Sequence, residues 1–297
     1  MRHITRRQFG AAGTAMALYA GPAIAQAARN TVQLPPGGSA PALGQGSGGL
    51  AQGRHPATEE EEALRTGLSI GLTLLDTAEV YGNGRAEEMI GRVIAGRRET
   101  VFLVSKVWPA HASPEGIRAA CAASLTRLGT DYLDLYLLHW REGIRDLLPV
   151  VETFEALKGE SRIRRWGVSN FRVSDMEELL RLPAGGACAT NQVPYNLQYR
   201  AGERDLIPWC RRQGLPIMAY SPLGSGSDLL QRPALTRVAE RHRVAPAAVA
   251  LAWTMRDAHT ISIPESGSAA HVRENAAALT VRLTEQDLDE LDKAFPV

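Results

Sequence analysis

Cysteine is scarce. Cys121, Cys188 and Cys210 are odd in number, widely spaced and without a paired-cysteine motif. That excludes a disulfide framework and gives no thiol set for zinc; the three read as buried apolar residues. Charge of one sign is equally lacking, since 33 basic residues against 32 acidic ones leave a net charge of +1. A nucleic-acid surface needs clustered cations, so no nucleic-acid partner is expected, and Arg162, Arg164 and Arg165 read as solvated surface. No apolar run beyond the N-terminus reaches the roughly 18 residues that cross a bilayer, so no stable membrane anchor is expected. The chain shows neither a long linker nor a composition shift that would split it in two. His3, His55, His111, His242, His259 and His271 lie on segments that do not converge. Without metal-ligand spacing, no metal and no metal-dependent hydrolase is expected.

The first 28 residues stand apart. Thr5-Arg6-Arg7-Gln8-Phe9-Gly10 precedes a mildly apolar run from Ala11 to Ala25, with small-residue cleavage points at Ala23-Ile24-Ala25 and Ala25-Gln26-Ala27. This resembles a twin-arginine signal peptide over residues 1–28, which implies export to the periplasm. An ordinary basic tail and a retained anchor are the alternatives, and an unused signal would leave the protein cytoplasmic.

What the remaining chain does have is a repeat. Short apolar runs at Leu72–Asp76, Val101–Lys106, Leu133–His139, Ile163–Ser169, Ala189–Pro194, Ile217–Ser221 and Thr260–Pro264 read as strands, with an eighth near Ala42–Gln45. Between them run segments of helical period, such as Ile117-Ala120-Cys121-Ser124-Leu125-Leu128. Ser113-Pro114 and Thr284 supply helix caps, and Val173-Ser174-Asp175 opens another helix. The pattern predicts an α/β fold, a single-domain (β/α)8 TIM barrel over residues 29–297. Gly44-Gln45-Gly46-Ser47-Gly48-Gly49 matches the dinucleotide fingerprint G-x-G-x-x-G. That motif needs a helix opening on its last glycine, and Ala51 to Pro56 intervene, so a Rossmann reading is rejected.

Asp76, Lys106 and His139 each end a strand-like run, and Tyr81 lies in the loop after Asp76. The C-terminal strand edge is where a parallel barrel builds its chemistry. A phenol, an ammonium, a carboxylate and an imidazole gathered there suit proton transfer to or from a carbonyl oxygen.

The motifs LLDTAEVYGNGRAEEMIG, LVSKVWP, LGTDYLDLYLLHW, IRRWGVSNF, ATNQVPYN, MAYSPLGSG and IPES…HVREN, in this order, resemble the aldo-keto reductase family, from about Leu34 to the C-terminus. The similarity points to the bacterial 2,5-diketogluconate-reductase-like branch. The resemblance implies an enzyme that reduces aldehydes or ketones, or runs the reverse, with NADP(H) or NAD(H). Its partner would be a small carbonyl or alcohol substrate, and the protein a monomer. It implies Tyr81 as general acid, its pKa lowered by Lys106, with Asp76 orienting Lys106 and His139 donating to the substrate carbonyl. Ser169, Asn170 and Gln192 would bind the nicotinamide carboxamide, and Tyr220 would stack on the ring. Ser221, Leu223 and Ser225 would cover the pyrophosphate. Glu265, Ser266, His271, Glu274 and Asn275 would meet the adenosine end.

Two departures stand out. Glu265 replaces the family's lysine and His271 its arginine, which suggests NAD(H) use because a carboxylate repels a 2′-phosphate and accepts hydrogen bonds from ribose hydroxyls. Arg273 should face elsewhere. Gly46-Ser47-Gly48 replaces Gly-Thr-Trp, and the chain ends soon after its last helix, so an open pocket walled by Trp108 and Trp140 is expected. The alternative function is a dinucleotide-binding regulatory or low-turnover member of the same fold.

Overall fold

The computed structural model describes residues 30–297, so the signal-like segment 1–28 lies outside the described residues. A short antiparallel hairpin comes first, β1 (Thr31–Gln33) with β2 (Ser39–Pro41). Eight strands follow: β3 (Gly44–Gly46), β4 (Leu74–Asp76), β5 (Phe102–Val107), β6 (Leu135–Leu138), β7 (Trp166–Ser169), β8 (Cys188–Pro194), β9 (Ile217–Tyr220) and β10 (Thr260–Ile263). They pair in chain order and all in parallel. The first also meets the last. Ser262 N donates to Ala42 O at 2.8 Å and Gly46 N to Pro264 O at 2.9 Å, so the sheet closes into the predicted (β/α)8 barrel.

Among the described residues ten α-helices clothe it. They are α1 (Ala57–Ser69), α2 (Arg85–Ile94), α3 (Pro114–Leu128), α4 (Leu148–Gly159), α5 (Val173–Arg181), α6 (Leu206–Arg212), α7 (Pro233–His242), α8 (Pro246–Thr254), α9 (Ala269–Ala276) and α10 (Glu285–Ala294). The predicted caps form. Ser113 Oγ accepts from Gly116 N at 3.0 Å, with Pro114 in the first turn of α3. At α10, Thr284 and Asp287 bond each other's main-chain N–H reciprocally, satisfying two donors the helix leaves unpaired. At α5, Asp175 accepts from Arg172 N at 2.9 Å.

Most strands are shorter than the apolar runs that announce them, whereas β5 keeps the length of its run and β8 begins one residue earlier, at Cys188. Leu133 and Ile163 share one isolated bridge in the same register as the β6–β7 ladder that begins at Tyr136 and Trp166. Ser221 leaves the ladder in a left-handed conformation (φ 51°), and Pro264 has no N–H to pair. After the glycine-rich Gly44–Gly49 no helix opens until Ala57, which agrees with setting the Rossmann reading aside. Cys121, Cys188 and Cys210 are buried free thiols, and burial pushes each up to about 12.

Alternation along the strands decides what reaches the barrel axis. Leu74, Val104, Leu135, Leu137, Met218 and Ile261 point inward and pack on Val32, Leu34 and Ala40 of the hairpin. Leu75, Leu103, Tyr136 and Leu138 face the helices. The hairpin stoppers the N-terminal end of the barrel. Arg165, just before β7, donates to Gly37 O at 2.8 Å and ties it there. Two residues beyond Leu74, Val104, Leu137 and Met218, on the same inward face, stand Asp76, Lys106, His139 and Tyr220. The packing of the interior thereby aims four polar side chains at the opposite rim.

Candidate active site at the C-terminal rim

Lys106 is the buried centre of this rim, its side chain fully enclosed. An ammonium has three donors, and all three are used. Nζ reaches Asp76 Oδ1 at 2.7 Å, Thr77 O at 2.8 Å and Tyr81 Oη at 3.3 Å. Burial alone would push Lys106 toward the neutral amine; the Asp76 carboxylate and the Tyr81 oxygen outweigh it and hold the pKa above the ordinary lysine value. Asp76 Oδ2 accepts from Gln192 Nε2 at 2.8 Å, so the carboxylate is held from two sides.

Tyr81 comes from a single tight turn, Tyr81–Gly84, in which Gly82, Asn83 and Gly84 all take left-handed conformations before α2 begins. Only glycine enters that region without steric cost, and asparagine tolerates it better than most residues. The expectation that Lys106 makes this phenol unusually acidic is corrected here. Burial raises the Tyr81 pKa by more than the Lys106 ammonium lowers it, and Asp76 and Glu265 add to the rise. At neutral pH the hydroxyl keeps its proton.

His139 meets Tyr81 edge-on, with ring centroids 5.7 Å apart, and Trp108 edge-on at 5.2 Å. Burial, helped by Lys106, depresses its pKa to about 3, so the imidazole is neutral. Nδ1 is buried without a hydrogen-bond partner among the described residues, which leaves Nε2 as the nitrogen available to a ligand. Glu79 fixes the neighbouring loop by accepting from Trp108 N at 2.6 Å and meeting His111 Nδ1 at 3.0 Å.

These groups open onto a cavity of about 830 Å³ that runs along the rim to α9. Such a volume suits an extended organic ligand. Apart from Lys106, enclosed beneath it, and Trp108 at its edge, every residue singled out from the sequence lines this cavity, Trp140 included. Ser169, Asn170 and Tyr220 form one hydrogen-bonded chain: Tyr220 Oη donates to Asn170 Oδ1 at 2.9 Å, and Asn170 Nδ2 donates to Ser169 Oγ at 2.9 Å and His139 O at 3.1 Å. Asn170, Ser221 and Ser225 all have positive φ, at 61°, 51° and 47°. Non-glycine residues held this way concentrate at ligand clamps. The donor set, the strained loop and the length of the cleft fit a dinucleotide.

At the far end Ser266, His271, Glu274 and Asn275 line the wall, and Arg273 does not. Glu265 accepts from Gly49 N, and its Oε1 lies 3.4 Å from Arg54 Nη2. Burial raises the Glu265 pKa, against the lowering by the Gly49 N–H and Arg54. The pattern of the sequence revealed neither Arg54 nor Glu79. Arg54 stands in a loop without periodicity, and its partner comes from the other end of the chain.

Fold and cleft together define a barrel enzyme that works on small molecules at the carboxyl ends of its strands. The chain belongs to the aldo/keto reductase family, whose model matches residues 42–295. It is 47% identical over 262 residues to methylglyoxal reductase YeaE of Escherichia coli, covering 87% of this chain and 92% of that protein. It is 35% identical over 267 residues to the glyoxal reductase of Bacillus subtilis, covering 89% and 92%. An aldo/keto reductase from Klebsiella pneumoniae, solved in complex with NADP and acetate, superposes with a TM-score of 0.86 at 44% identity, covering 90% of this chain and 95% of that one. The chain is an NAD(P)-dependent oxidoreductase that reduces aldehydes or ketones to alcohols. The two curated relatives carry methylglyoxal and glyoxal reductase names, so the sequence-based placement in the 2,5-diketogluconate branch is cut back to the family.

Proposed function

We propose that the protein reduces small 2-oxoaldehydes and related carbonyls, the substrate class named for its methylglyoxal and glyoxal reductase relatives. The observation that carries the reading is Lys106, whose three donors bind Asp76, Thr77 and Tyr81 inside the barrel. A bound dihydronicotinamide supplies the hydride. His139, neutral, donates one N–H to the carbonyl oxygen and polarises it. Tyr81 delivers its proton to the same oxygen, and the phenolate left behind stands beside the Lys106 ammonium. Asp76 and Gln192 keep that ammonium in place. Ser169, Asn170 and Tyr220 would hold the nicotinamide end, and Ser221, Leu223 and Ser225, which line the same cleft, would meet the pyrophosphate. A module that bound dinucleotide without turnover would have no need of a buried charge pair aimed at a phenol.

Both NADH and NADPH serve in this proposal, because Glu265 and the exposed His271 stand where phosphate-binding cations are expected. We take the protein to act as a monomer, as the family resemblance implies. The twin-arginine-like pattern of residues 1–28 supports delivery to the periplasm. The test is a panel of glyoxal, methylglyoxal and simple aldehydes and ketones, assayed with each cofactor on purified protein and on periplasmic and cytoplasmic fractions. Turnover of 2-oxoaldehydes with cofactor dissociation constants within about tenfold of each other is expected. NADPH binding more than about tenfold tighter would contradict the cofactor reading, and activity confined to the cytoplasmic fraction would contradict the location.

A further inference from the structure

The cavity poses a charge problem. A dinucleotide brings at least two phosphate charges, yet the acids lining the cleft are Asp76, Glu265 and Glu274. Asp76 is already paired with Lys106. Among the described lining residues the one Lys or Arg is Arg54. It reaches the cleft from the loop before α1 and leans on Glu265.

Three features suit this guanidinium to exchange partners. Its side chain is 63% exposed, so it moves freely, and exposed pairs are weak. Its 3.4 Å contact with Glu265 is longer than a charge-assisted hydrogen bond of about 2.7–2.9 Å. Its position also depends on a glycine, because a Cβ on Gly49 would lie 1.3 Å from Arg54 Nη2. Glu265 is anchored independently by the Gly49 N–H, so it stays when the arginine leaves.

We propose that Arg54, parked on Glu265, is the residue that binds a phosphate group of the dinucleotide, replacing from the first loop the cation that the segment after β10 lacks. This rests on reading the cleft as a dinucleotide site and deepens it. Planar guanidinium groups take phosphate oxygens in pairs, which Glu265 offers only one oxygen to rehearse. Glu265 therefore acts as a holder that competes with the phosphate for Arg54.

The test is binding of NADH and NADPH, followed by quenching of protein fluorescence, to the full chain and to Arg54→Gln, Glu265→Gln, the double variant and Gly49→Ala. Arg54→Gln is expected to weaken NADPH binding on the order of tenfold, both alone and on the Glu265→Gln background. Glu265→Gln is expected to tighten it. Gly49→Ala, whose Cβ would lie 1.3 Å from Arg54 Nη2 and 2.6 Å from Glu265 Oε1 and so crowds the pair while keeping both charges, is expected to follow Arg54→Gln. A loss confined to NADPH identifies the 2′-phosphate as the group bound; an equal loss for NADH, with unchanged thermal unfolding, identifies the pyrophosphate. If Arg54→Gln weakens neither cofactor, or its effect vanishes once Glu265 is Gln, Arg54 only neutralises its neighbour and the proposal is overturned. A wild-type protein that binds neither dinucleotide would overturn the functional reading as well.

Discussion

Replacing Tyr81 by Phe is expected to lower kcat for carbonyl reduction by about 10²–10⁴-fold, the usual worth of a positioned proton donor. The change deletes one oxygen. The ring keeps its edge contact with His139 at 5.7 Å and its place 4.8 Å from Lys106 Nζ. The hydroxyl that is lost makes a long contact of 3.3 Å, so little stability goes with it. Thermal unfolding and NADPH affinity should therefore stay near wild type while turnover collapses. Steady-state kinetics beside a binding titration checks the split. A variant that kept a tenth or more of wild-type kcat would remove Tyr81 from the chemistry.

Lys106→Met carries the other large effect, and it falls on stability as well as rate. The Asp76–Lys106 pair is enclosed, with side chains 4% and 0% exposed. Removing the cation leaves a buried carboxylate with Gln192 Nε2 as its remaining described side-chain partner. Breaking a buried pair in this way costs about 3–5 kcal/mol. For a chain of this size that lowers Tm on the order of 10 °C, read by calorimetry or circular dichroism. Adding Asp76→Asn should restore part of the loss, because the uncompensated charge is then gone. Turnover should fall on the order of 10²-fold and stay low in the double variant, since no ammonium is left to receive the phenolate. Recovery of activity together with stability would mean that Lys106 only supports the fold.

The parts of this site that were legible in the sequence follow from the two-residue period of a strand. Asp76 and Lys106 end runs whose interior members, Leu74 and Val104, must face the axis, so their direction follows from packing. His139 and Tyr220 obey the same rule through Leu137 and Met218. Tyr81 was legible from its place in the loop after Asp76 and from the family motif that contains it, and Gly82 and Gly84 take the left-handed conformations of that turn.

Other features were hidden for physical reasons. The hairpin β1–β2 lies in a Pro/Gly-rich stretch with no alternation long enough to announce it, yet it closes one end of the barrel. The pair Gly49–Glu265 joins residues 216 positions apart through one side chain and one main-chain N–H, a contact that no local pattern encodes. The direction of the Tyr81 shift was misread for a related reason. The neighbouring ammonium is visible in the motif, whereas the burial that opposes it comes from loops distant in sequence, Gly48 among them, and Glu265 adds its charge from the far end of the chain.

That shift has a functional consequence. A phenol that stays protonated at neutral pH is ready to give its proton to a carbonyl oxygen. The most direct measurement is the pH dependence of single-turnover carbonyl reduction at saturating NADPH. With Tyr81 raised above its ordinary value and His139 neutral above about 3, the rate should hold level from about pH 5 to about pH 9 and fall only as the phenol ionises. A fall centred near neutral pH would contradict it, because the proton donor would then be a group already half ionised there.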